Sequence, residues 1–136
     1  MPRLPDEKQA LILAETWRRI TPRLAKDDGS VWYQGGEPYM DLFFQLDASQ
    51  PWLRQLLAGP RPSWFQLTIR GRTVTWDGAV VTTGTTDEFQ PAGGFPSSNR
   101  VFADRTVDGA VLALARTLLS RQLDDPLFRA ALDALS

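Results

Sequence analysis

Cysteine and histidine are both absent from this chain of 136 residues. Their absence excludes disulfides, thiolate nucleophiles, zinc sites built on cysteine or histidine, Ser-His-Asp triads and histidine general bases. Catalysis would have to depend on carboxylates, lysine, tyrosine or a metal ion held by oxygen atoms. Because these groups form no recognisable motif here, we expect a non-enzymatic protein with no cofactor and no metal site.

Long apolar runs are also absent. The most apolar segment, AVLALARTLLS at residues 110–120, is much shorter than the roughly 20 residues that cross a bilayer. The N-terminal MPRLPDEKQ has no apolar stretch of the kind found in secretory signals, so we expect a cytoplasmic protein that does not bind membranes. A formal net charge of -1 disfavours general attraction to nucleic acid and favours a protein partner.

Helical periodicity is present near both ends of the chain. Apolar residues spaced three or four apart predict a helix over residues 6–20. A serine, an early proline and a following glycine predict a short helix over residues 49–58. Two more helices are expected near the C-terminus, one starting at Val107 and one at Asp125-Pro126. The cap of the first of these is expected at one of two residues, Thr106 or Asp104.

Two extended runs predict a β-hairpin. VWYQ at residues 31–34 and PYMDLFFQL at residues 38–46 lie on either side of Gly35-Gly36, a pair that favours a turn. In the second run the residues alternate so that one side of the strand is wholly apolar and the other is mixed. The apolar side, which includes Leu42 and Phe44, is therefore expected to face the core.

The stretch WFQLTIRGRTVTWDG, residues 64–78, predicts two further hairpins. With Gly71-Arg72 and Asp77-Gly78 as two-residue loops, each large apolar residue lies opposite another apolar residue. A slip of one residue in either hairpin would turn these side chains to the other face, so both turns predict the same inward face. The expected pairs are Ile69 with Val74, Leu67 with Trp76, Trp76 with Ala79, and Val74 with Val81.

Together these elements predict an α+β fold in a single domain that covers residues 1–136. The 43% of apolar and 23% of charged residues are typical of a globular domain. An antiparallel sheet of about five strands, connected as a meander, would carry the N-terminal and C-terminal helices on its apolar face. Residues 85–105 have no periodicity, which predicts a loop of about twenty residues, a length that often accompanies a functional role.

The mixed face of the predicted sheet is the leading candidate for a binding surface. It is expected to combine aromatic rings with arginines, a set of residues suited to gripping a partner. Asp41 and Arg70 are expected to share this face and to pair across neighbouring strands. The alternative is a structural role, in which other parts of the chain or a second subunit cover the rings. The predicted partner-binding residues are Tyr39, Asp41, Phe43, Trp64, Arg70 and Arg72.

Three functions are compatible with these surfaces. The first is a regulator, inhibitor or immunity-type protein that binds another macromolecule, as a monomer or a homodimer, through the mixed face. The second is binding of single-stranded nucleic acid by the same face. The third is a small-molecule-binding protein or carboxylate-based enzyme that uses the loop at 85–105. Its candidate residues are Asp87, Glu88 and Arg100, for which the favoured alternative is a solvated loop without a function of this kind.

The segments GGEPYMDLFFQLD, WFQL and VTWDG, which fall within residues 35–78, resemble a pattern in small uncharacterised bacterial proteins. Those proteins have a Tyr-x-Asp-Leu strand, a Phe-Gln-Leu strand and a strand ending in Thr-Trp, in that order. The resemblance implies a bacterial origin and a similar fold for this chain. It implies no activity.

Overall fold

The structure, a computed structural model, describes residues 3–20, 30–46, 62–86 and 101–136 of the chain. The short helix that the sequence predicts over residues 49–58 lies outside these ranges. Every statement below about the fold and its contacts concerns the described residues.

Three helices and seven strands make up the described part of the chain. The helices α1, α2 and α3 span Glu7–Leu13, Gly109–Leu119 and Pro126–Ala134. The strands β1 to β7 span, in order, Arg18–Arg19, Ser30–Gln34, Asp41–Leu46, Pro62–Ile69, Arg72–Trp76, Val81–Thr86 and Val101–Ala103. None of the described helices is long and apolar enough to cross a membrane.

Each strand pairs antiparallel with the next one along the chain, so the sheet is a meander with the order β1-β2-β3-β4-β5-β6-β7. The predicted α+β class and antiparallel sheet are therefore confirmed. The predicted number of about five strands is too low, because a strand forms at each end of the sheet that the sequence pattern does not indicate. One is β1, and the other is β7, which falls inside the predicted loop at 85–105.

The predicted first helix, over residues 6–20, is too long. Helix α1 ends at Leu13, whose carbonyl accepts a hydrogen bond of 2.6 Å from the Thr16 hydroxyl as the chain turns. The residues that follow enter the sheet as β1. Trp17 keeps its inward direction, since it is 5% exposed and its Nε1 donates to the carbonyl of Leu118 at 2.9 Å. A tertiary contact to α2 thus takes the place of the last helical turns.

Aspartates begin the two C-terminal helices. The predicted start of α3 is confirmed, because the Asp125 side chain accepts from the amide of Leu127 and Pro126 occupies the first turn. The predicted cap of α2 is wrong. The Asp108 side chain accepts from the first amides of this helix, while Asp104 is held by an arginine described below.

The core lies between the helices and the face of the sheet that the helices cover. Strand residues alternate between buried and half-buried along β2 and from Trp64 to Ile69 in β4, as expected for a sheet with one buried face, while Asp41 at the start of β3 is buried as well. Edge-to-face contact of the Tyr33 and Phe128 rings, with centroids 4.9 Å apart, joins the sheet to α3. Burial of Phe44 and Phe65, each 0% exposed, contributes about 1.5–3 kcal/mol per side chain.

The turn between β4 and β5 differs from the predicted one. Its two central residues are Arg70 and Gly71, with φ angles of 47° and 81°, instead of Gly71-Arg72. Two successive positive φ angles are typical of a type I′ turn, whose second central position favours glycine. Leu67 consequently pairs with Val74, a shift of two residues from the predicted register. A shift of two leaves the apolar side chains of the strands on their predicted face, whereas Arg70 moves into the turn.

The turn between β5 and β6 is also longer than predicted, because four residues, 77–80, connect the strands. The Asp77 carboxylate accepts hydrogen bonds from the amides of Ala79 and Val80, which stabilises the wider turn. Trp76 pairs with Val81 in place of Ala79. The predicted inward face is nevertheless confirmed. Ile69 and Val74 are buried, and Trp76 and Val81 pack against the core as partly buried residues.

Candidate functional site

The sheet face that points away from the helices, called the second face below, is organised in rows that cross the strands. Residues that pair across neighbouring strands lie about 4.8 Å apart and on the same face. The register places four residues in one row, the aromatic row: Trp32, Phe43, Gln66 and Thr75. A second row, the polar row, consists of Gln34, Asp41, Thr68, Thr73 and Gly84.

The aromatic row contains a stacked pair of rings. Trp32 and Phe43 have ring centroids 5.9 Å apart and an interplanar angle of 29°, and both residues are half-buried. Trp64, also half-buried, lies on the same face opposite Gln45. The structure thus places Phe43 and Trp64 on the face that the sequence predicts. The sequence prediction missed Trp32, although its alternation with the buried Val31 indicates the same direction.

Asp41 lies in the polar row between Gln34 and Thr68 and is buried, with 6% of its surface exposed. Its Oδ1 accepts a hydrogen bond of 3.2 Å from Nε1 of Trp32, which links the two rows. Burial raises the pKa of the Asp41 carboxyl, and the Trp32 hydrogen bond opposes this shift because it favours the ionised form. The described residues supply no ion pair to this carboxylate.

Thr73 lies two strands away from Asp41 in the same row and is 1% exposed. Its hydroxyl is the one buried side-chain polar atom without a hydrogen-bond partner among the described residues. The neighbouring position in the row is Gly84, where an added Cβ would lie 2.9 Å from Thr73 Oγ1 and 2.9 Å from the Phe102 carbonyl oxygen. Val101 Cγ1 would lie 3.0 Å from the same added Cβ, so β7 packs closely over this glycine.

The predicted ion pair between Asp41 and Arg70 is wrong. Arg70 occupies the β4–β5 turn, and its guanidinium forms a two-point contact with Glu37 at 3.0 Å and 3.1 Å. It also donates to the carbonyl of Arg3 at 2.7 Å. These contacts hold a non-glycine residue in the left-handed region that the turn requires. Tyr39 lies in the connection before β3 with φ of 61°, so it does not share the strand face with Asp41.

Arg72 is also not on the second face. The corrected register pairs it with Ile69, so its side chain lies on the helix side of the sheet. There its guanidinium donates to Asp104 at 2.7 Å, to Asp108 at 3.2 Å and to the Thr85 hydroxyl at 2.8 Å. These contacts tie β5 and β6 to the start of α2, which is a structural role.

Arg18 is the described cation that the register brings closest to the polar row on this face. It pairs with Gln34, which in turn pairs with Asp41, so two strand spacings separate Arg18 from the carboxylate. Arg18 is exposed and forms no ion pair with described residues. The second face therefore combines an aromatic stack with a buried carboxylate, in place of the predicted arginine clamp.

The other groove and the other ionisable residues of the described part of the chain give less support for a functional site than the second face does. A groove of about 370 Å³ lies between α1 and α2, where the main polar groups are Asp6, the cap of α1, Glu7 and Thr117. Within the described ranges, no cluster of three or more acidic residues is able to hold a metal ion. The loop candidates Asp87, Glu88 and Arg100 lie outside the described residues.

Comparison of the chain with protein families, with curated proteins and with solved structures finds no match.

Proposed function

We propose that this protein is a non-enzymatic bacterial interaction domain that binds another protein through its second face, as a cytoplasmic regulator or inhibitor. The observation that carries the proposal is the stacked pair of Trp32 and Phe43 beside the buried carboxylate of Asp41. Half-buried aromatic rings next to a few fixed polar groups are typical of the centre of a protein interface.

The charges on the second face favour a protein over nucleic acid. A nucleic-acid surface needs cations to neutralise phosphates. The two arginines expected to supply them, Arg70 and Arg72, are held by Glu37 and by Asp104 at other sites. The carboxylate of Asp41 would repel a phosphate. Because these two arginines are not on the second face, its aromatic stack supports a protein partner better than single-stranded DNA or RNA.

The same geometry gives little support to catalysis. Acid–base and metal mechanisms need two or more groups that converge on a reacting atom. The described neighbours of Asp41 in its row and the next one are Gln34, threonines and a tryptophan, with no second carboxylate among them. An enzyme would therefore have to use Asp87, Glu88 and Arg100 outside the described residues.

Photo-crosslinking from the second face tests the proposal. Thr82 is exposed and pairs with Thr75, so it continues the aromatic row at the side of the sheet. We expect p-benzoylphenylalanine at Thr82 to form a defined adduct with one protein in cells that make this chain natively. The matched control carries the same group at Ile12, which is 60% exposed on α1. We expect no such adduct from Ile12.

The identity of the adduct separates the alternatives. Loss of the Thr82 adduct when Trp64→Ala is added would support contact through the second face. An adduct between two copies of the chain, together with a dimer in light scattering, would show that the face is a homodimer interface instead. Salt-dependent retention of an oligonucleotide that Trp64→Ala abolishes would contradict the proposal and favour nucleic-acid binding.

A further inference from the structure

We infer that the group recognised at Asp41 is an arginine side chain of the partner, held by the carboxylate and stacked against the rings of Trp32 and Phe43. This inference rests on the proposed function, because it names the chemistry of the partner at the second face.

The charge of the Asp41 carboxylate favours a cationic group of the partner. The Asp41 carboxylate receives one hydrogen bond, from the neutral indole of Trp32, and no described cation pairs with it. A buried carboxylate is costly when it lacks a cation or several donors. Arg70 is held by Glu37, and Arg18 lies two strands away on the edge strand. A cation from a partner would supply what the described residues do not place there.

The aromatic rings next to Asp41 favour one kind of cation. The Trp32 and Phe43 rings stack beside Asp41, so a group that reaches the carboxylate passes against an aromatic surface. A guanidinium is planar and weakly hydrated, and it stacks on aromatic rings more often than an ammonium group does. It also matches a carboxylate with two parallel hydrogen bonds. These properties favour arginine over lysine.

A titration with short peptides tests the inference on the full chain. The probes are acetylated and amidated pentapeptides with arginine, citrulline or lysine between glycines, because citrulline keeps the shape of arginine without its charge. The readout is the indole N–H resonance of Trp32, assigned by its disappearance in Trp32→Phe. We expect saturable shifts at millimolar arginine peptide and an affinity about five- to thirty-fold weaker for citrulline. The lysine peptide should fall between them.

Two variants and a control complete the test. Asp41→Asn should remove the difference between the arginine and citrulline peptides, whereas Asp77→Asn in the β5–β6 turn should leave it unchanged. Phe43→Leu keeps the apolar contact and removes the ring, so it should weaken arginine binding about two- to fivefold. The Phe43 variant keeps the inference testable if Asp41→Asn does not fold.

Equal affinities for arginine and citrulline, or a stronger response to lysine than to arginine, would overturn the inference. So would the absence of any Trp32 shift. If the Thr82 adduct still forms in that case, the proposed protein-binding function stands and only the arginine assignment fails. If the adduct is missing as well, the proposed function fails with it.

Discussion

Two aspartates on opposite faces of the sheet show how differently this protein treats its carboxylates. Asp104, on the helix side, receives hydrogen bonds from Arg72 at 2.7 Å and from the Thr83 hydroxyl at 2.6 Å. Asp41, on the second face, receives one side-chain hydrogen bond from the described residues, that of Trp32. The Thr83 hydrogen bond, together with Arg72, lowers the pKa of Asp104, whereas burial raises the pKa of Asp41.

The difference separates a carboxylate that stabilises the fold from one that the fold leaves incompletely paired. Asp104 joins the end of β7 to β5 and β6, and each of its partners belongs to this chain. Asp41 is more deeply buried than Asp104, with fewer partners. Natural proteins retain such destabilising arrangements mainly at functional sites. This difference supports a structural role for Asp104 on the helix side and the proposed recognition role for the second face.

The largest effect is expected for Asp104→Asn. This change removes the charge that Arg72 contacts, and hydrogen bonds to charged groups typically contribute more than neutral ones. We expect the free energy of unfolding to fall by about 1–3 kcal/mol in urea denaturation. Asp133→Asn, an exposed carboxylate on α3, serves as the control and should change stability by less than about 0.5 kcal/mol. If the Asp104 variant is as stable as this control, Asp104 does not stabilise the fold and the structural role given to it is contradicted.

A matched pair of threonine variants sharpens the comparison. The Thr83 hydroxyl donates to Asp104 and accepts from the amide of Asp108 at 2.9 Å, while the Thr73 hydroxyl has no described partner. Thr83→Val should therefore lower stability by about 1–2 kcal/mol, and Thr73→Val should raise it by about 0.5–1 kcal/mol. Thermal unfolding of both variants in one buffer measures the difference. If both variants change the stability in the same direction, the expected difference between the two threonines is contradicted.

The pH dependence of stability should have opposite signs for the two aspartates. The pKa of Asp104 is lowered in the folded state, so its stabilising effect is present above the ordinary value of 3.8 and is lost as the pH falls through the folded pKa. The pKa of Asp41 is raised, so its penalty is absent below 3.8 and appears as the pH rises through the folded pKa.

Urea denaturation between about pH 3 and pH 7 separates these two effects. The deficit of Asp104→Asn relative to the native chain should shrink toward acid pH. The gain of Asp41→Asn should shrink in the same direction, since it also depends on an ionised carboxylate in the native chain. A deficit for Asp104→Asn that is constant over this range would show that charge is not the cause.

The faces of the central strands could be predicted from the sequence although their pairing could not. Ile69 and Val74 point inward as predicted, yet they are not partners, because the β4–β5 turn lies one position earlier than expected. A strand repeats every two residues, so an error of two in register does not change a face. A glycine in the second central position of a type I′ turn was the signal that favours Arg70-Gly71.

The roles of the arginines were not predictable from local patterns. Arg72 contacts Asp104, 32 residues further along the chain, and the sequence between them gives no indication of that contact. The pair of Arg70 and Glu37 likewise depends on how two separate turns meet. Trp32, in contrast, could have been found, since the hairpin register places it opposite Phe43. The alternation of residues along a strand thus predicts which face of the sheet each side chain occupies. Which charged side chains stay unpaired on a face depends on ion pairs between distant parts of the chain.

The stability of Asp41→Asn tests the central claim most directly. Asparagine keeps an oxygen that accepts from Trp32 and removes the buried charge. If Asp41 is retained for recognition, the variant should unfold at higher urea concentration, with a gain of about 0.5–1.5 kcal/mol near pH 7, and should lose its preference for the arginine peptide. If Asp41 is instead a structural residue like Asp104, the variant will be less stable than the native chain, and that result would contradict the account.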